Sequence, residues 1–563
     1  MSDTVEKIKT VTRNEVLKTN IPTLAGNIAA TLANPDAQAF SADDEQFLKF
    51  HGIYQQDDRD QRKIAKHFMF MIRGRIPGGV LSGPQYQVFD TLATQHGNNT
   101  LRITTRQSIQ FHGVVKTGLG PLMKQINAAL VDTLAACGDV NRNVMAPVTP
   151  ATTRARQQVY EDARRVSEAL LPQTKAYHSI WVEGVQLNLE DPENTGFVDP
   201  LYGSQYLPRK FKIAFVIPPV NDMDVFTNCL GFVAIIEGDR LLGYNLTAGG
   251  GMGRSHGNDA TYARVADVIG FITPGQLIPA ARAVLTVHRD FGDRTDRKHA
   301  RLKYVLAERG ADWFRSEVEA RTGFKFEPAR PVRFTGQSDL LGWQRDIDGG
   351  WFLGLWVDMG RIKDNGNHRL KSGLRAVADL FPNVEFRLTA NQNIVIAKVD
   401  DATRERITAI LSEHGVRVAQ QASALHLAAI ACPALPTCGL ALAESERNLP
   451  GLIDQIETVL SDVGLAGEEI VIRMTGCPNG CARPYMAEIG FVGKGPGRYQ
   501  LWLGGNESCT RINRIYKDLV KEPEILPELR TLFTRFAAER QPAERFGDWA
   551  ARTLWDAPAT VAA

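Results

Sequence analysis

The chain repeats itself, and that limits its fold more than any other feature. Leu101-Arg-Ile-Thr-Thr-Arg-Gln-Ser-Ile-Gln-Phe111 lies over Phe386-Arg-Leu-Thr-Ala-Asn-Gln-Asn-Ile-Val-Ile396 without a gap; Arg102/Arg387, Thr104/Thr389, Gln107/Gln392 and Ile109/Ile394 coincide. Ahead of the first copy, Tyr86, Phe89 and Leu92 are spaced as one face of a helix, as are Leu370, Leu374, Val377 and Leu380 ahead of the second. Turn residues follow each, Gly97-Asn98-Asn99 and Pro382-Asn383. Each copy reads as a helix followed by two strands. A second echo pairs Tyr244-Asn-Leu-Thr-Ala-Gly-Gly250 with Tyr499-Gln-Leu-Trp-Leu-Gly-Gly505. Both echoes run in the same order, one set in each half. The chain is therefore expected to be a duplicated α+β protein, its halves packed about a pseudo-twofold axis with a site at their junction.

A length of 563 residues is enough for several lobes. The 65 basic and 63 acidic side chains leave a net charge of +2, so nothing global favours nucleic acid or a membrane surface, and any charge that binds a ligand must be local. Residues up to about 45 are polar and weakly patterned, and read as a mobile arm or a partner-docking segment. The leader mixes both charges without an apolar core, unlike a signal peptide. The uncharged stretch Gln421–Ala443 contains Pro433 and Pro436, which would break a spanning helix. A cytoplasmic protein is expected.

The cysteines number seven, an odd count that argues against a disulfide scaffold and for thiols kept for metal or redox work. Four form two close pairs, Cys432-Pro-Ala-Leu-Pro-Thr-Cys438 and Cys477-Pro-Asn-Gly-Cys481. The prolines and Asn479-Gly480 keep both segments out of regular helix and let backbone amides point inward, as an anionic sulfur cluster requires. Zinc favours tighter spacing than the gap between Cys432 and Cys438. Spacing alone leaves an iron–sulfur cluster, a zinc site and unconnected thiols open, in that order. Cys137, Cys229 and Cys509 read as ordinary core or surface thiols.

The cysteine arrangement, with its second pair inside Met474-Thr-Gly-Cys-Pro-Asn-Gly-Cys481, resembles the sirohaem-dependent sulfite and nitrite reductases. His51-Gly-Ile-Tyr-Gln-Gln-Asp-Asp-Arg-Asp60, Arg73-Gly-Arg-Ile-Pro-Gly-Gly79, Asn141-Arg-Asn143, Tyr206-Leu-Pro-Arg-Lys-Phe-Lys212, Arg294-Thr-Asp-Arg-Lys298 and Lys494-Gly-Pro-Gly-Arg498 extend the likeness over residues 50 to 548, towards the haemoprotein side of the NADPH-linked sulfite reductases. The resemblance implies a three-lobed pseudo-twofold α+β fold with ferredoxin-like half-domains. It divides the chain into an N-terminal arm (1–50), the first half of the ferredoxin-like domain (51–145) and a first sirohaem-binding α/β lobe with substrate lysines (146–335). The second half of the ferredoxin-like domain (336–421) and a cluster- and sirohaem-ligating lobe (422–563) follow. It further implies that Cys432, Cys438, Cys477 and Cys481 hold a 4Fe-4S cluster, and that Cys481 is also the axial ligand of sirohaem.

The implied reaction is six-electron reduction of sulfite to sulfide, in assimilatory sulfate reduction and cysteine biosynthesis. No nicotinamide-binding fingerprint occurs in the sequence, so NADPH oxidation is expected on a separate FAD/FMN flavoprotein subunit, which makes the enzyme a hetero-oligomer. The rival is a ferredoxin-dependent sulfite or nitrite reductase of the same fold; the pair Lys210 and Lys212 favours sulfite. More distant is a non-catalytic iron–sulfur or zinc protein. By resemblance the anion pocket comes from Arg73, Arg142, Lys210 and Lys212, with Arg106 facing the cofactor where the second repeat has Asn391. Lys210 and Lys212 flank Phe211, so on a strand both face one side. Mutual repulsion should lower their pKa values and suit them to proton delivery. The run Arg294, Arg297, Lys298, Arg301 and Lys303 reads either as a basic wall near the cofactor or as a solvated face. Gly249-Gly-Gly-Met-Gly253 lacks the ending of a phosphate loop and reads as a tight turn.

Overall fold

The computed structural model describes residues 10–62, 64–150, 153–173, 180–182, 185–187, 198–419 and 421–555. The first repeat folds as helix Gly83–Gln95 and strands Leu101–Ile103 and Ile109–Val114, the second as helix Leu370–Leu380 and strands Glu385–Leu388 and Ile394–Val399. The first helix starts on a capping box: the Ser82 hydroxyl accepts from the Gln85 amide, and the Gln85 side chain accepts from the Ser82 amide. Tyr86, Phe89 and Leu92 are fully buried, and the Tyr86 ring stacks on Phe386 of the other copy with centroids 4.2 Å apart.

The duplication holds in detail. The turn after the first strand is closed by the Thr104 amide donating to the Ser108 carbonyl (2.8 Å) in one copy and by Thr389 donating to Asn393 (2.9 Å) in the other. Gln107 and Gln392 occupy the same place and both have positive φ, 53° and 72°. Each half also lends a strand to its twin. Val80–Ser82 pairs antiparallel with Glu385–Leu388, and Arg361–Ile362 pairs antiparallel with Leu101–Ile103. The lent strands follow Gly79 and Gly360, at φ 74° and 75°. A Cβ on Gly79 would lie 2.6 Å from the Leu388 carbonyl, and one on Gly360 2.6 Å from the Ile103 carbonyl. With strands exchanged, the two half-domains share one apolar core, which runs from Phe40 to Val131 and from Leu353 to Val416.

Two further lobes have separate cores. One sheet is ordered Asp267–Ile272, Arg240–Ala248, Leu230–Glu237, Ile213–Val216; the other Ile430–Ala431, Ile472–Thr475, Ile489–Gly495, Arg498–Leu503, Arg514–Lys521. In the first, Ile213–Val216 runs parallel to Leu230–Glu237; in the second, Ile472–Thr475 runs parallel to Ile489–Gly495. Ala248 faces Leu230 and Leu503 faces Ile489, so the registers superpose Tyr244–Gly250 on Tyr499–Gly505, in agreement with the second echo. Between the paired strands of each lobe lies a short 3-10 turn entered through a left-handed residue, Asp224 in one and Arg483 in the other. These two side chains form an ion pair with each other, near the pseudo-twofold axis.

The leader differs from a mobile arm over its described part. Helices Arg13–Asn20, Ile28–Ala33 and Asp44–Phe50 pack on the body, with Glu15 and Lys18 almost fully buried. A polar segment of low hydrophobic content conceals this docking, because charged partners far along the chain hold it in place. Among the described residues no helix is long and apolar enough to cross a membrane.

Candidate active site

The cleft between the lobes is lined by Arg106, Met145, Lys210, Lys212, Met252, Arg301, Asn479, Gly480, Cys481 and Arg483, with Thr105, Thr227 and Gly253. It is built from three places. The strand segment Asn141–Met145 lies parallel to Phe211–Phe215: the Arg142 amide donates to the Phe211 carbonyl (3.0 Å) and the Phe211 amide to the Val140 carbonyl (3.0 Å). Phe211 is buried on the far side, which turns Lys210 and Lys212 together into the cleft. The first repeat's turn brings in Arg106, whose guanidinium donates to Asn228 Oδ1 (2.9 Å) and to the carbonyls of Asn143 (2.6 Å) and Ile213 (3.2 Å). The second lobe supplies the Cys477–Cys481 loop.

The cleft is strongly cationic. Lys210 is held well below the usual lysine range by burial and then by the charges of Lys212, Arg142 and Arg301. Burial, Arg106 and Arg301 push Lys212 well down too. Arg106 falls to about 9 through burial and its neighbour Arg142. Nε of Arg106 and of Arg301 is buried without a hydrogen-bond partner. Converging cations with unused donors fit an anion and a cofactor rich in carboxylates. Arg73 and Arg142 stand behind the lining. Arg142 donates to the Gly138 carbonyl (3.2 Å) and meets the Tyr54 hydroxyl; Arg73 Nη1 donates to Cys137 Sγ (3.1 Å).

The four paired cysteines converge, since Cys432, Cys438 and Cys477 each feel the charge of Cys481. Burial and that charge raise the Cys432 and Cys438 thiols and push Cys477 up to about 12. A positive centre is needed to hold these three as thiolates. Amides face the sulfurs as expected: Gly476 donates to Cys432 Sγ (3.3 Å), and those of Leu440 and Ala441 approach Cys438. Cys432, Cys438 and Cys477 are buried or half-buried, whereas Cys481 is exposed on the cleft. The Thr105 hydroxyl donates to the Cys481 carbonyl (3.0 Å), which ties the Cys477–Cys481 loop to the turn that carries Arg106.

Several features were not legible in the sequence. Gly249–Gly253, read as a tight turn, lies against the cysteine loop: the Arg254 amide donates to the Pro478 carbonyl (2.9 Å), and Met252 and Gly253 line the cleft. The basic run splits. Arg294 pairs with Glu15 and Arg297 with Asp139 (2.7 Å), away from the cleft, while Arg301 reaches it and Lys303 braces the glycine loop through the Gly253 carbonyl (2.9 Å). Cys137 and Cys229 are buried but not idle: the first meets Arg73 and the Tyr54 hydroxyl, and the second accepts from Arg301 (3.4 Å). Arg483, two residues beyond Cys481, carried no signal of its own.

Comparison with known proteins agrees with this geometry. The family described as "Nitrite and sulphite reductase 4Fe-4S domain" matches residues 161–326, and "Nitrite/Sulfite reductase ferredoxin-like half domain" matches 62–129 and 344–414. The first match falls on the lobe with the lysines; the four paired cysteines lie in its duplicate. Proteins named sulfite reductase [NADPH] hemoprotein beta-component are 49% identical in Myxococcus xanthus (97% of each chain), 48% in Xanthomonas oryzae (98% of this chain, 96% of that one) and 45% in Lysinibacillus sphaericus (96% and 94%). The solved structure of the Mycobacterium tuberculosis NirA protein shares the fold, with TM-score 0.75 and 24% identity over 96% of each chain.

Proposed function

The chain belongs to the nitrite and sulfite reductase family, and from that membership we propose that it is the haemoprotein component of an NADPH-dependent sulfite reductase, reducing sulfite to sulfide. The observation that carries this reading is the cleft itself, where Lys210, Lys212, Arg106 and Arg301 face the exposed Cys481. Sirohaem and a 4Fe-4S cluster are its cofactors, and when bound they would relay electrons from the donor to the substrate. We assign the cluster to Cys432, Cys438, Cys477 and Cys481, and Cys481 would also hold sirohaem.

The chain's own groups do the rest. Sulfite is a small oxyanion, and each oxygen lost as water takes up protons. Lys210 and Lys212 bind it and deliver protons: their lowered pKa values mean that an arriving anion favours the ammonium form, which then stands ready to donate. Arg73 and Arg142 stabilise charge from behind, and Arg106 and Arg301 hold cofactor carboxylates. The chemical unit is divided as the duplication suggests: ferredoxin-like halves at 51–145 and 336–421, a lysine lobe at 146–335, a cysteine lobe at 422–563, and the described part of the arm, residues 10–50, docked on them.

The relatives' name carries a beta designation and NADPH, which supports a hetero-oligomer driven by NADPH; we propose that a separate flavoprotein oxidises the NADPH and that the enzyme works in the cytoplasm. A visible spectrum with iron and zinc analysis of the purified chain tests the cofactors. Activity with a flavoprotein–NADPH system but not with reduced ferredoxin tests the donor. A colourless protein that contains zinc in place of iron would overturn the reading.

A further inference from the structure

The leader makes contacts that a docking arm has no need of. On the helix Arg13–Asn20, Lys18 Nζ donates to Glu15 Oε1 (2.6 Å) and to the Leu207 carbonyl (2.8 Å), and lies 3.6 Å from Asp139 Oδ2. Glu15 also receives Arg294, whose other nitrogen donates to the Tyr206 carbonyl (2.8 Å). Asp139 is bound by Arg297 through both oxygens, at 2.7 and 3.1 Å. Glu15, Lys18 and Asp139 are 1%, 3% and 2% exposed.

The position of this buried ion network is what matters. Asp139 heads the segment that continues to Asn141-Arg142-Asn143, and Leu207 heads the segment that continues to Lys210-Phe211-Lys212. The two run side by side, joined by Leu207 N–H to Asp139 O (3.0 Å), Phe211 N–H to Val140 O and Arg142 N–H to Phe211 O (both 3.0 Å). Lys18 therefore clasps the head of the ladder whose far end presents the anion-binding side chains. Apolar residues in place of a buried ion pair often stabilise a protein as well or better, so this network gives weak grounds for added stability.

We infer that Glu15 and Lys18 are positioning residues, which act through Asp139 and the Leu207 carbonyl to set the places of Arg142, Lys210 and Lys212. The inference rests on the anion-pocket reading above.

The test uses the full chain loaded with its cofactors, with reduced methyl viologen as donor. Lys18→Met should raise the sulfite KM on the order of tenfold or more, since a displacement of about 1 Å at a positioning group costs up to roughly a hundredfold. The sirohaem absorption should not change, and hydrogen exchange at the Arg142 and Phe211 amides should quicken. Lys18→Arg should return both readings to within about threefold of the parent, which a merely stabilising role would not require. If Lys18→Met does not fold, Glu15→Gln carries the same expectations, because it loosens the 2.6 Å clasp on Lys18. An unchanged KM with unchanged exchange, or faster exchange confined to the leader helix, would overturn the inference. A parent chain that reduces no sulfite would instead refute the pocket reading, and the exchange comparison would still decide the coupling.

Discussion

Replacing Lys212 by Met keeps the stem and removes the ammonium from a cleft whose other walls are already cationic. Two consequences follow from its neighbours. On the proposed assignment one donor to the reacting oxyanion is lost; in a water-poor site such a group is worth about 3–4 kcal/mol in the transition state, or on the order of 10²–10³ in kcat. Lys210, held down first by burial and next by the charge of Lys212, should recover part of its normal pKa. In the proposed role the ammonium is the proton donor, so activity falls as pH rises through that pKa, and the alkaline limb of the variant's residual activity should move to higher pH. Lys212→Arg separates the two roles: it keeps the charge, so KM should stay within about threefold, but it has no accessible neutral form and kcat should fall as in Lys212→Met. The assay is sulfide production against pH with a chemical donor, alongside sirohaem absorbance on the same samples. Parental turnover in Lys212→Met, or an alkaline limb that moves down, would refute the reasoning.

Burial alone would raise Glu446, but Arg102 and Arg361 outweigh it and hold the carboxyl at about 2. A depressed carboxylate contributes its stability above the unfolded value of 4.5 and loses it as pH falls from there towards 2, roughly 3 kcal/mol in all. Denaturation midpoints of the cofactor-free chain should fall over that range, and Glu446→Gln should be weaker at neutral pH with a flatter dependence. Gly480 sits at φ +61°, and an added Cβ would lie 2.7 Å from the Tyr485 ring, so Gly480→Ala should displace the ligand loop and lower iron content per chain. Gly439→Ala, with open space around it, should leave iron content unchanged.

The pieces of this site that the sequence exposed are local ones. Cysteine spacing, the Lys-Phe-Lys alternation and the turn shared by Gln107 and Gln392 each depend on neighbours a few residues apart, so they survive as patterns in the string. The duplication was legible for the same reason, as two copies of a short segment with one backbone solution. What the string could not show is which distant segments meet. The exchange of Val80–Ser82 and Arg361–Ile362 between half-domains, the glycine loop against the cysteine loop, and the division of one basic run between Glu15, Asp139 and the cleft are all long-range pairings. A basic side chain looks the same whether its partner is a buried carboxylate or a cofactor. The sequence by itself determined the candidate ligand types, the local geometry and the twofold plan. Only packing decided which cations were left without a counter-charge, because that depends on how strands from opposite halves close around one another.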